Sequence, residues 1–327
     1  MSILGIAIAA WASTMPGKAP PSSVRFAAIS PRTGEVAYYV FTPGQKLGKS
    51  GSPWSPRPGS QIAHAIKGPA GRSLVLLISR NGRRFLQIAP GGGEVNTLAD
   101  AQYLCLSPDE KLIYVASAAG VAIHPVSRRN VGPMRGKIAF QKPSEAQVVA
   151  AVPKGSGPLF VGLSESGADW SGGAVWRVES SRRAERERID VAQGVPAMAF
   201  FDNKHAILEA WGRGLVDVRL DRGHLKLVSR IWGDAADPVN SLIAVGPRNG
   251  FFALRSGVVH TLRFTGSGWV VGKADQVAPF SVLIAVAGGL VVFARSTEKS
   301  IIALDLKGRR IGAFELPEAG MFLVPIG

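Results

Sequence analysis

One short unit recurs seven times along this chain of 327 residues: an apolar strand, a polar turn, and a second apolar strand. Its turns are SPRTG at 30–34, GPAGR at 68–72, SPDEK at 107–111 and PKGSG at 153–157. They continue as FDNKH at 201–205, GPRNG at 246–250 and VAGGL at 286–290. Successive turns begin 38 to 48 residues apart. Turn residues bounding runs of Val, Ile, Leu and Phe mark buried strands. YLCLS and KLIYVAS flank the third turn, AMAFF and AILEAW the fifth, SLIAV and FFALR the sixth. RFAAIS and EVAYYVF flank the first and read as the first two strands of their unit. Third strands follow at GVAIHPV (120–126), AVWRVES (174–180), LVDVRL (215–220), VVHTLRF (258–264) and SIIALDL (300–306).

A spacing near 44 residues matches one four-stranded propeller blade. A helical solenoid of this period needs apolar spacing of 3.6 residues, and no run of useful length has it. The 39 Gly and 22 Pro suit many tight turns. The fold class expected is therefore all-β: a seven-bladed β-propeller of four-stranded antiparallel blades, occupying residues 23–327 as one domain.

Two stretches carry a resemblance. LSPDEKLIYVASAAGVAIHPV (106–126) is similar to the repeat of YVTN-type and lactonase-like β-propellers, and LVVFARSTEKSIIALDLKGRRIG (290–312) resembles the same repeat from its second strand into its fourth. The Trp-Asp and Gly-His dipeptides of WD40 repeats are missing at matching places. The resemblance implies a seven-bladed ring with a central channel. It implies no activity, because this architecture serves unrelated functions. No catalytic residue of the lactonase-like proteins finds a matching position here.

The N-terminal residues 1–22 are set apart. SILGIAIAAWA (2–12) is apolar, too short to span a bilayer, and followed by the Pro-rich STMPGKAPPSS. Its length and the small residues Ala10 and Ala12 fit a signal peptide, although no basic residue precedes it. Export to the periplasm or outside the cell is the expectation, a cytoplasmic location the alternative.

TPGQKLGKSGSPWSPRPGS (42–60) invites comparison with a phosphate-binding loop. Only three residues separate Gly44 from Gly48, where four are needed. Pro53, Pro56 and Pro58 forbid the helix that must follow. It reads instead as a long connection between the second strand of the first unit and the next blade. The charge run SSRRAERERID (180–190) reads as a solvated hairpin extension.

Metal and nucleophile signals are weak. His64, His124, His205, His224 and His260 show no ligand spacing, and the one cysteine, Cys105, lies in an apolar run. GLSES (162–166) approaches a nucleophile elbow, but Ser166 replaces the second Gly. No cofactor or metal is expected.

The net charge of +15 favours anionic partners. In a four-stranded blade, the loops after the second and fourth strands share one face. Those loops carry Arg80, Arg213, Arg255 and Arg295, with Trp54, Arg57, Trp170 and Trp211. Arginines give bidentate recognition of carboxylate, phosphate or sulfate, and tryptophans give flat apolar surfaces. The first expectation is a monomeric, non-enzymatic binding or scaffold propeller recognising a partner protein or anionic polymer on this face, with nucleic acid a less favoured partner. The alternative is a lactonase-like or glycan-cleaving hydrolase with its site at the channel mouth.

Overall fold

The computed structural model describes residues 23–326 apart from 72, 118–119, 141–144, 152–157, 166–171, 180–183, 188, 190–193, 196, 211–213, 234–235, 287–290 and 296–297. These residues form seven antiparallel sheets of four strands each. Blade 1 contains β1 (Val24–Ile29), β2 (Val36–Phe41) and β3 (Gly48–Lys49). Blade 2 is β4 (Gln61–Lys67), β5 (Leu74–Arg80), β6 (Arg83–Ala89) and β7 (Glu94–Asn96). Blade 3 is β8 (Ala101–Leu106), β9 (Leu112–Ser117), β10 (Gly120–Pro125) and β11 (Gly136–Ala139). Blade 4 is β12 (Glu145–Ala151), β13 (Leu159–Glu165), β14 (Gly172–Val178) and β15 (Ala184–Arg186). Blade 5 is β16 (Met198–Phe200), β17 (His205–Ala210), β18 (Gly214–Asp221) and β19 (His224–Trp232). Blade 6 is β20 (Val239–Gly246), β21 (Asn249–Leu254), β22 (Val258–Phe264) and β23 (Trp269–Gln276). Blade 7 is β24 (Val282–Val286), β25 (Val291–Arg295), β26 (Ser300–Asp305) and β27 (Arg310–Glu315).

The last strand, β28 (Phe322–Pro325), does not start an eighth blade. It pairs with β1, Ala27 opposite Val324 and Ala28 opposite Leu323, and becomes the innermost strand of blade 1. It also packs beside β4 and β24, the innermost strands of the neighbouring blades. Sequence-distant ends are thus hydrogen-bonded into one sheet, and the ring closes.

This closure corrects the phase of the first repeat. RFAAIS and EVAYYVF are the second and third strands of blade 1, because its innermost strand comes from the C-terminus. The segment after Phe41 therefore follows a third strand, and contains the fourth. Gly48 and Lys49 pair with Val40 and Tyr39 as the blade's outer edge. Beyond them, Trp54 exchanges backbone hydrogen bonds with Val36, at 2.7 and 3.0 Å. Gly34, at φ +72°, leaves no room for a Cβ, which would lie 2.5 Å from the Pro56 ring. What looked like a phosphate loop is an edge strand pinned against the blade.

Hydrophobic burial explains why the second strands read as largely apolar runs. Each blade is covered on both faces. In β5, Leu74, Leu76 and Ile78 pack in the seam with blade 1, while Val75 and Leu77 pack in the seam with blade 3. One such cluster fills every seam around the ring. The polar turns fold for local reasons. Asp202 accepts from the Lys204 and His205 amides at 2.7 Å, and Asp305 from the Lys307 and Arg309 amides at 2.9 Å. Short carboxylates that bond the backbone a few residues on stabilise tight turns. Of the charge run, Glu185 and Glu187 pair with the buried Arg177 at the seam of blades 4 and 5, while its residues 180–183, 188 and 190 lie outside the described residues. Ser164 lies within β13, opposite Glu145 and Gly173, not at an elbow.

Among the described residues no helix is long and apolar enough to cross a membrane, and no group of three potential metal ligands is found.

Candidate functional site on the upper face

The four-stranded antiparallel blades place the ends of second strands and the starts of innermost strands on one face, here called the upper face. Of the residues expected to crowd that face, Arg80 ends β5 and donates to both carboxylate oxygens of Glu94, at 2.8 and 2.5 Å. It also lies 4.7 Å from the Phe85 ring centre. These bonds hold the Glu94 carboxyl below its ordinary range. Arg57 joins the same carboxylate at 4.0 Å, with a side chain 75% exposed. Trp54 is half-buried and packs with the seam between blades 1 and 2. Arg213, Trp170 and Trp211 lie outside the described residues.

Arg295, at the end of β25, turns inward. Its Nη1 donates to the Met321 carbonyl at 2.7 Å and to the Gly320 carbonyl at 3.3 Å. Its guanidinium lies 5.7 Å from the Phe322 ring centre, and its Nε has no partner among the described residues. Burial pulls its pKa down to about 10. Among the described residues the guanidinium is held by two carbonyls and meets no carboxylate, so its charge is not paired there. That charge reaches His64 on β4, which burial and Arg295 together lower to about 4. The Leu104 amide donates to His64 Nδ1 at 3.3 Å, so the neutral ring carries its proton on Nε2.

The most perturbed acid is Glu209 on β17. Ala206, Leu208 and Ala210 face blade 4, so Glu209, like Ile207, turns toward blade 6. It is 2% exposed. The Val239 amide, at the head of the innermost strand of blade 6, donates to it, and the charge of Arg255 acts on it. Arg255 is held by its own backbone, donating to the Pro238 carbonyl at 3.0 Å and accepting from the Phe280 amide at 2.9 Å. Desolvation outweighs the Arg255 charge and the Val239 hydrogen bond and raises the Glu209 pKa to about 8. Its Oε2 has no partner among the described residues.

Neither Glu209 nor His64 stood out among the candidate residues. Each interrupts an apolar run, HAILEAW and QIAHAIK, in a strand buried on both faces. An ionisable side chain in such a run is the signal that could have found them.

Neither a family model nor a curated protein matches this chain. Solved structures do. The periplasmic gluconolactonase of Pseudomonas aeruginosa superposes with a TM-score of 0.66 at 16% identity, over 93% of this chain and 99% of that one. A Lactobacillus plantarum protein gives 0.68 at 12% identity, over 92% and 99%. A candidate 6-phosphogluconolactonase from Bacteroides uniformis gives 0.65 at 12%, over 94% and 99%. This chain has the lactonase-like propeller architecture. At these identities the likeness is one of fold.

Proposed function

We propose that this propeller is a hydrolase of small cyclic esters, working at the upper mouth of the channel on the side of blades 5 and 6. The observation that carries it is Glu209: a carboxyl kept neutral near pH 7 by burial, with one oxygen unpartnered, beside the cationic Arg255. The lactonase names among its structural neighbours point the same way.

The chemistry follows from these groups. A lactone carbonyl polarised by a guanidinium accepts water at carbon. The ring C–O bond breaks as the protonated Glu209 donates to the leaving alkoxide, and the attacking water returns a proton to the carboxylate. The product is the open hydroxy acid. A carboxyl with pKa about 8 holds its proton at neutral pH, so it can act as the acid. Arg295, with no carboxylate partner among the described residues, supplies positive charge on the upper face and favours substrates that carry a carboxylate or phosphate.

The test is opening of glucono-δ-lactone and its anionic analogues, followed by acid release. Glu209→Gln is expected to lower kcat by about 10²–10⁴-fold while melting at or above the wild-type temperature, since the variant has no buried carboxyl to ionise. Failure of the wild-type chain to open any lactone faster than buffer overturns the reading.

The net charge of +15 and the exposed Arg57 favour a second reading, a binding propeller for an anionic partner. It predicts capture of an anionic polymer that is lost on Arg57→Ala and by raising salt. In either reading, export is proposed from the apolar segment 2–12.

A further inference from the structure

A cavity lies away from Glu209, where the N-terminal part of blade 1 meets the chain returning from blade 7. It is a cleft of about 320 Å³, the low end of the range for small-molecule sites. One wall is the face of β2 and β3. Tyr39 and Lys49 are direct cross-strand partners there, and Glu35 follows the same alternation. The other wall is the connection between β27 and β28, with Pro317 and Glu318. Pro53 joins the rim.

The walls are pre-set. Ser30 Oγ donates to Glu318 Oε2 at 2.9 Å, and Arg32 Nε to Oε1 at 3.4 Å. Trp54 backbone bonds to Val36 hold the segment that carries Pro53. Among the described residues no partner is found for the Tyr39 hydroxyl or the Lys49 ammonium. Burial, with the charge of Glu35 added, pushes the Tyr39 hydroxyl up, so it remains a donor throughout the neutral range.

The lining therefore mixes donors, Lys49 and the phenols Tyr38 and Tyr39, with the acceptors Glu35 and Glu318 and the hydroxyls of Ser30 and Thr33, beside apolar proline surfaces. A lone anion meets two carboxylates here, and a lone cation meets Lys49. A ring that offers hydroxyls as both donors and acceptors, with apolar C–H faces, satisfies every group. We infer that this cleft binds a neutral saccharide unit of one or two rings, separately from the chemistry at Glu209. Because the cleft joins strands from both ends of the chain, its occupant also braces the closure of the ring.

The experiment is calorimetric titration of the full chain with methyl β-D-glucopyranoside, cellobiose and di-N-acetylchitobiose, with tetramethylammonium and inorganic phosphate as charged controls. Expected is saturable binding of at least one saccharide with a dissociation constant below about 10 mM, and a rise in melting temperature with ligand. Tyr39→Phe and Lys49→Met, both folded by melting temperature, each weaken it at least tenfold. Glu209→Gln binds as the wild type does, which separates this site from the hydrolase reading. Absence of saccharide binding, saccharide binding untouched by both cleft variants, or saturation by either charged control instead overturns the inference.

Discussion

Glu209 shows how one residue couples burial to pH. Its carboxyl is neutral in the fold up to about pH 8, and ionises from the ordinary value of 4.5 once the chain unfolds. Between those limits the folded state holds one more proton than the unfolded state. Stability therefore falls as pH rises through this window, by up to about 1.4 kcal/mol per unit, and the loss ends above the folded pKa. Glu209→Gln removes this dependence. Denaturant melts at pH 5 and pH 8 are expected to show the wild type losing stability relative to the variant, and parallel curves refute the buried neutral acid. Gly34 makes a backbone prediction. Its φ of +72° and the Pro56 ring behind it mean Gly34→Ala strains the turn and the pinned segment together. The expected cost is about 1–2 kcal/mol for the left-handed backbone alone, read as a lowered denaturation midpoint.

At the scale of elements, each inner strand serves two seams, so its side chains are shared between neighbouring cores. Phe26, Phe41, Phe293 and Phe314 interlock between blades 1 and 7, with ring centres 5.2–5.6 Å apart. Phe293→Ala is expected to cost about 3–5 kcal/mol, measured by equilibrium unfolding. β28 closes the same region, with Leu323 2% exposed. Deleting residues 320–327 removes an innermost strand, exposes the β1 edge and frees Arg295 from its two carbonyls. A sharp fall in melting temperature is expected, and an unchanged value refutes this closure. The outer strands are different. β19 is mostly exposed yet carries Lys226 and Arg230, and charged side chains discourage edge-to-edge pairing.

The whole molecule is a ring with an excess of positive charge, +15 in all. Arg255 and Arg295 belong to its upper face, where the proposed substrate enters. Such a field raises the encounter rate of anions and is screened by salt. For a lactone bearing a carboxylate or phosphate, kcat/KM is expected to fall several-fold between 20 and about 200 mM salt. For a neutral lactone of the same ring it stays level. Equal salt dependence for both excludes steering by the ring.

Seven repeats, four-stranded blades and the third strands of blades 3 to 7 were legible in the sequence, because turn chemistry and apolar runs are local. Arg80 and Arg295 were legible as upper-face residues for the same reason. The phase of the first blade was not. A strand buried on both faces looks alike whether it is first or second in its sheet, so only the pairing of Ala28 with Leu323 across the whole chain decides it. The state of the arginines was equally hidden. Glu94 neutralises Arg80, while Arg295 donates to the Gly320 and Met321 carbonyls, and those partners come from other strands or from the far end of the chain. Glu209 is the clearest case. Its sequence neighbours make it a carboxyl in a strand. Val239 and Arg255 from the next blade, and the seam that strips its water, make it an acid that keeps its proton.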